Sequence, residues 1–187
     1  MRKIALVLKC SNTRPDLPMF DTTWEKWGLA WDPLPCVHRL FEMHAFWRNF
    51  RDDPEEAEEH RRWLMGQRVP VYMRQVEHDI PTSVAYPFEE IGKFVKQVNG
   101  GVPYLESSVA MMMALAMYER PDRIGIWGAD MGTTTEYYYQ RPNMEYLIGL
   151  ARGMGISVYV PPDCALLKPA HELPYGIWEA PKASKAA

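Results

Sequence analysis

The stretch RIGIWGADMG at 123–132 runs apolar through Ile124, Gly125, Ile126 and Trp127, stops at Gly128, and delivers an acid, Asp130, two residues later. A carboxylate just beyond the end of a buried strand can accept from ribose hydroxyls or orient a base; a turn that happens to use Asp is the competing reading. TTTEYYYQR follows. Its Tyr137, Tyr138 and Tyr139 offer phenols that can donate to phosphate or stack on a base, and Gln140 and Arg141 add an amide and a cation. So many specific groups in one segment favour a binding site over a plain turn.

Three other clusters carry chemistry. In ESSVAMM, Ser107 and Ser108 stand where a helix should begin. First-turn N–H groups there can hold an anion, although plain N-capping by serine explains the same residues. In CSNTR, Ser11, Asn12 and Thr13 could offer hydroxyl and amide groups to a phosphate or ribose, with Arg14 as countercharge; a solvated turn is the alternative. In FEMH, alternation along a strand puts Glu42 and His44 on one face, a possible acid/base pair. His78, in EHD at 77–79, is a second candidate base. One His and one Glu fall short of a three-ligand metal set, so no metal is expected, and a structural histidine is the competing reading for both.

These residues need elements to place them. Apolar runs at 3–9, 25–31, 39–46, 69–73, 123–128 and 156–160 read as strands. PEEAEEHRRWLM (54–65) opens with Pro and acids, closes with Arg and is ended by Gly66, as a helix should be. PFEEIGKFVKQV (87–98), SSVAMMMALAMYE (107–119) and a segment near 143–152 read as further helices. Met111, Met112, Met113 and Met117 are then core filler. Near-continuous apolar strands separated by helices predict a single α/β domain: a parallel sheet with helices on both faces. In such sheets ligands bind beyond the carboxyl ends of the strands, which directs attention to the loops at 10–21, 32–36, 47–50, 74–83 and 129–142. The domain should span 1–178, with 179–187 a disordered tail.

Composition narrows the function classes. The 187 residues suit one full core, and 47% hydrophobic with 24% charged residues is ordinary for a globular protein. A net charge of −3 without any Lys/Arg-rich run argues against duplex nucleic acid as partner. Three widely spaced cysteines, Cys10, Cys36 and Cys164, suit a reducing cytoplasm. The apolar run near the N-terminus is too short for a signal peptide or membrane span. Seven Trp and ten Tyr are many for this length; aromatics fill cores but also stack on bases and sugars. Exposed Trp and Tyr would allow a homodimer.

The order of a serine-led helix start, a Met/Ala-rich helix, the strand in IGIWGADM and then tyrosines resembles the core of the family 42 sialyltransferases. It also resembles the Rossmann-like hydroxymethylpterin diphosphokinase-like proteins and a group of small phage-encoded proteins. The likeness covers about residues 104–167. It implies a Rossmann-like fold with a nucleotide or nucleotide sugar as ligand or substrate and no other cofactor. It implies that Ser107, Ser108 and Gly128 lie against the nucleotide, with Asp130 near ribose or acceptor. The tyrosines, Tyr138 foremost, would assist the departing phosphate, with His44 or His78 as base. Two features depart from the family. Its glycine-rich first loop is replaced by Lys9-Cys10-Ser11-Asn12, and its late catalytic histidine has no counterpart between Asp130 and His171. The expected function is therefore a glycosyltransferase-like nucleotide-binding protein. Two other readings stand beside it: a non-catalytic binder of the same fold, and a phage structural or assembly component.

Overall fold

Four successive apolar residues, Ile4 to Val7, make Lys3–Val7 an interior strand, β1, buried from Ile4 onward. The computed structural model describes residues 1–10, 13–44, 53–129, 131 and 137–168, Tyr137 by its backbone alone. Six more strands share the sheet: β2 (Trp24–Leu29), β3 (Arg39–Glu42), β4 (Val71–Met73), β5 (Ser83–Ala85), β6 (Arg123–Trp127) and β7 (Ser157–Tyr159). Every pairing is parallel, in the order β5-β4-β3-β2-β1-β6-β7. β1 pairs along its whole length on both sides, Lys3 opposite Trp24 of β2 and opposite Arg123 of β6. The chain builds outward from β1 to β5 and then returns to lay β6 on β1's free edge. That reversal opens a crevice beyond the carboxyl ends of β1 and β6.

The helices are α1 (Pro54–Met65), α2 (Phe88–Asn99), α3 (Ser108–Tyr118) and α4 (Tyr137–Gly153). Alternation along the strands divides their cover. Ile4 and Leu6 of β1 and Ile124 and Ile126 of β6 join one large core with α2, α3 and α4. Leu40 and Val71 pack beneath Leu64 of α1 on the other face. Helices therefore lie on both faces, as expected. Met112, Met113 and Met117 are fully buried in the large core, which accounts for the methionines of α3.

Beyond β1 and β6 the face opposite α3 and α4 is closed by side chains from loops and strands. Ala5, Val7, Leu17, Leu34, Trp24 and Trp127 form that layer, with the two indoles edge to face, 5.2 Å between centroids. Gly125 leaves the room, since a Cβ there would stand 2.2 Å from the Trp127 ring. Much of the tryptophan excess is thus packing.

Three expectations shift. β5 has no apolar pattern, because it is a three-residue edge strand and mostly exposed. β3 stops at Glu42, four residues before the expected end of its run. α4 begins at Tyr137, well before the expected start, and carries Pro142 inside it. Proline there removes one bond, to the carbonyl of the exposed Tyr138, where water can replace it. Among the described residues no helix is long and apolar enough to cross a membrane. The tail at 179–187 lies outside the described residues.

Candidate functional site

The ladder between β1 and β6 continues past the strands. Leu8 N–H donates to Trp127 O (2.9 Å), and Cys10 N–H donates to Gly128 O (3.0 Å). Gly128 turns the chain there with φ +69°, and a Cβ on it would stand 2.3 Å from Leu8 O. Its own N–H donates to Thr13 Oγ1 at 3.0 Å, and Thr13 is fully buried. Gly128 and Thr13 therefore join the loops after β1 and β6 and form the back of the crevice. The hydroxyl expected to meet a nucleotide is turned inward to a backbone N–H. Thr13→Val should cost about 1–3 kcal/mol by leaving the buried Gly128 N–H without its acceptor. Chemical denaturation checks this, and an unchanged midpoint would refute the role.

In front of that join lies a cavity of about 440 Å³ at the carboxyl ends of β1, β2, β3 and β6. Lys9 and Cys10 enter it from β1, His44 from β3, Gly128, Ala129 and Met131 from β6, Ser107 and Ser108 from α3, and Gln140 from α4. Ser107 caps α3, its side chain accepting from Ala110 N–H at 3.1 Å. The next N–H groups, of Ser108 and Val109, have no carbonyl of an earlier turn to bond, and both residues line the cavity. Asn143, fully buried in α4, holds this helix start in place. Its side chain donates to Tyr104 O (2.7 Å) and accepts from Glu106 N–H (2.9 Å).

At the mouth stands an acid–imidazole cluster. Past the end of β3 the chain folds back so that His44 N–H donates to Glu42 Oε1 (3.0 Å), and His44 Nδ1 lies 3.0 Å from the same oxygen. The pair is therefore made by a turn and not by strand alternation. His60 of α1 brings Nε2 to 3.1 Å from Glu42 Oε2. Burial alone would raise the Glu42 pKa, but the His44 imidazole and N–H and the close His60 imidazole outweigh it and hold the carboxyl down at about 2. An ionised carboxylate only accepts, so His44 donates from Nδ1, and in the neutral imidazole the lone pair is then on Nε2. The His44 side chain is 59% exposed whereas Glu42 and His60 are buried, which is the arrangement of a base with a fixed tautomer. Each imidazole takes a different carboxylate oxygen, and among the described residues no group of three or more His, Cys, Asp or Glu is disposed to hold a metal.

The other expected residues fall elsewhere. Arg14 donates to the buried Asp32 at 2.8 Å and is not in the cavity lining; among the described residues Lys9 is the cation there. His78 lies in the loop after β4, away from the described cavity lining. Tyr138 and Tyr139 are 73% and 66% exposed and stack edge to face on α4, outside that lining. Arg141 pairs with Glu145 (2.9 Å) and donates to Lys168 O (2.7 Å). Ser11, Asn12, Asp130 and the Tyr137 side chain lie outside the described residues, although Ala129 and Met131 on either side of Asp130 line the cavity.

Sequence reading passed over His60, Asn143 and Trp31. A signal for His60 exists: with Leu64 it forms an i, i+4 buried pair on an otherwise charged helix. Asn143 offers none, since its role depends on a loop 37 residues away. Trp31, two residues beyond β2, has φ +57°, a left-handed backbone that a bulky residue adopts at a cost of about 1–3 kcal/mol. Its ring meets His60 edge to face, 4.5 Å between centroids.

A parallel sheet whose order reverses at β1 and β6, with a cavity at that reversal, defines a Rossmann-like α/β domain. Among solved structures the chain is similar to the sialyltransferase CstII from Campylobacter jejuni, described in complex with a substrate analogue, cytidine-5'-monophosphate. The TM-score is 0.54 at 11% identity, over 89% of this chain and 82% of that one. At that identity the likeness establishes the fold. It bears on the sialyltransferase part of the expected resemblance and not on the hydroxymethylpterin diphosphokinase-like or phage parts. No protein-family model and no curated protein matches the chain.

Proposed function

We propose that this protein binds a nucleotide or nucleotide sugar in the cavity between β1 and β6 and transfers the sugar to an acceptor hydroxyl. The observation that carries the reading is His44, fixed by a buried carboxylate, at the rim of a cavity that also holds the first turn of α3 and Lys9. The cytidine-5'-monophosphate complex of the similar sialyltransferase supports a nucleotide as the ligand class. Sugar transfer places negative charge on the leaving phosphate, and first-turn N–H groups with a lysine beside them favour that charge. His44 then takes the acceptor's proton. Asp130, Ser11 and Asn12 remain part of this proposal as ribose or phosphate contacts. Tyr138 and Tyr139 would need to turn inward to serve the leaving group; as placed, they favour the second reading, a binder that does not turn its ligand over.

The proposal extends to a phage-encoded protein in a bacterial cytoplasm. A homodimer is also proposed, and sedimentation would test it.

Thermal melting with CMP, UDP and GDP and their sugar conjugates tests the ligand. At one hundred times Kd a ligand adds about 2.7 kcal/mol, a shift of roughly 5–10 °C for a domain of this size. His44→Ala should keep that shift and lower transfer about 10²–10⁴-fold. No shift with any nucleotide overturns the proposal, whereas a shift with neither hydrolysis nor transfer leaves the binder.

A further inference from the structure

His44 also faces a second cavity, of about 360 Å³, on the opposite side from α3. The two cavities share Lys9, Leu29 and His44. What differs is the far wall. The first cavity ends in backbone turns and the α3 terminus; the second ends in the Trp31 ring, the Glu56 side chain of α1, and the Glu42–His60 contact. Trp31 holds its left-handed backbone in the turn that follows β2, and strain of that kind collects where a side chain must be aimed.

We propose that this second cavity is the acceptor subsite, and that it takes the hydroxyl-bearing face of a neutral sugar with Trp31 as its platform. The inference rests on the transfer reading given above. An indole gives a sugar ring's C–H face an apolar surface, and a carboxylate with two imidazoles supplies hydrogen-bonding partners for its hydroxyls. Lys9 faces two carboxylates, Glu42 and Glu56, in this lining, which suits a neutral guest better than an anion. His44 lines both cavities, which places its imidazole within reach of both reactants. The acceptor O–H gives its proton to His44 Nε2, and the acceptor oxygen forms a bond to the anomeric carbon of the donor. The bond from that carbon to the phosphate oxygen breaks, and its electron pair leaves on the nucleoside phosphate. Glu42 keeps Nδ1 protonated throughout and stabilises the imidazolium that forms. His60 acts through Glu42 and is a positioning residue.

The test observes the two cavities separately. In protein labelled at histidine, methyl glucoside, methyl galactoside and N-acetylglucosamine are titrated without nucleotide, and CMP is titrated without sugar, by NMR. At least one sugar should shift the His44 and His60 resonances while leaving His38 and His78 in place. Trp31→Gly, which φ +57° accommodates without strain, should weaken that sugar at least tenfold, and Glu56→Gln severalfold, with CMP affinity unchanged in both. Sugar shifts without any CMP shift would sustain the subsite and overturn the nucleotide reading alone. CMP shifts with no response to any of the three sugars would overturn the subsite, as would sugar binding that survives both substitutions. Loss of CMP affinity in Trp31→Gly would assign Trp31 to the nucleotide and equally overturn it.

Discussion

Replacing Gly128 with alanine should destabilise the protein by about 4 kcal/mol or more, enough to lose most soluble material at growth temperature. Two effects add. A left-handed φ of +69° is strained for any residue with a Cβ, and the new methyl would stand 2.3 Å from Leu8 O and 3.1 Å from Cys10 O. Those neighbours are backbone atoms of the loop leaving β1, so they yield only if the loop shifts. A shift would break Cys10 N–H to Gly128 O and Gly128 N–H to Thr13 Oγ1, the bonds that hold the two cavity loops together. Soluble yield and the denaturation midpoint measure the outcome. A melting temperature within a few degrees of the parent would show that the loops rearrange at little cost. In that case Gly128 would have to be explained by close approach of a ligand.

Glu42→Gln should give the second largest effect and one with a distinctive pH signature. The carboxyl is held at about 2, against 4.5 for a free glutamate. Its folded value is depressed, so its contribution is fully present above about pH 4.5 and is lost as pH falls through about 2. The shift corresponds to about 3 kcal/mol at neutral pH. The neutral amide cannot accept from both imidazoles in the same way, and His60, buried against Trp31, loses its anionic partner. Denaturation at pH 7 should show a loss of about 2–4 kcal/mol, with parent and variant converging as pH falls through about 2. Equal losses at pH 7 and pH 2.5 would show that the shape of the side chain matters and its charge does not. On the proposed reading the variant also lowers transfer, because His44 is no longer held with Nε2 as the base.

How much was legible follows from how far apart the deciding contacts lie in the chain. The helix at 54–65 is announced locally, by Asp53 accepting from Glu56 N–H (2.9 Å), Pro54 at the first position and Gly66 at the close. β1, β6 and α3 are announced by unbroken apolar runs. β5 is not, because a short edge strand is fixed by pairing with β4, Val71 opposite Ser83, and not by burial. Glu42 and His44 stand out by type, but strand alternation gives the wrong reason for their meeting. Once β3 ends at Glu42, a turn and a backbone hydrogen bond bring them together.

The sequence alone determined the α/β class and directed attention to the loops beyond the carboxyl ends of the strands, because both follow from short-range patterns: apolar period, caps and strand ends. Only the tertiary structure decided which polar groups share a space. Arg14 is spent on Asp32, 18 residues away. Thr13 turns inward to Gly128, 115 residues away. His60, from a helix that reads as a solvated charged face, arrives on the far oxygen of Glu42. A charge or hydroxyl in a sequence has no marked destination, since its free energy depends on the partner that the fold places beside it and on the water that burial removes.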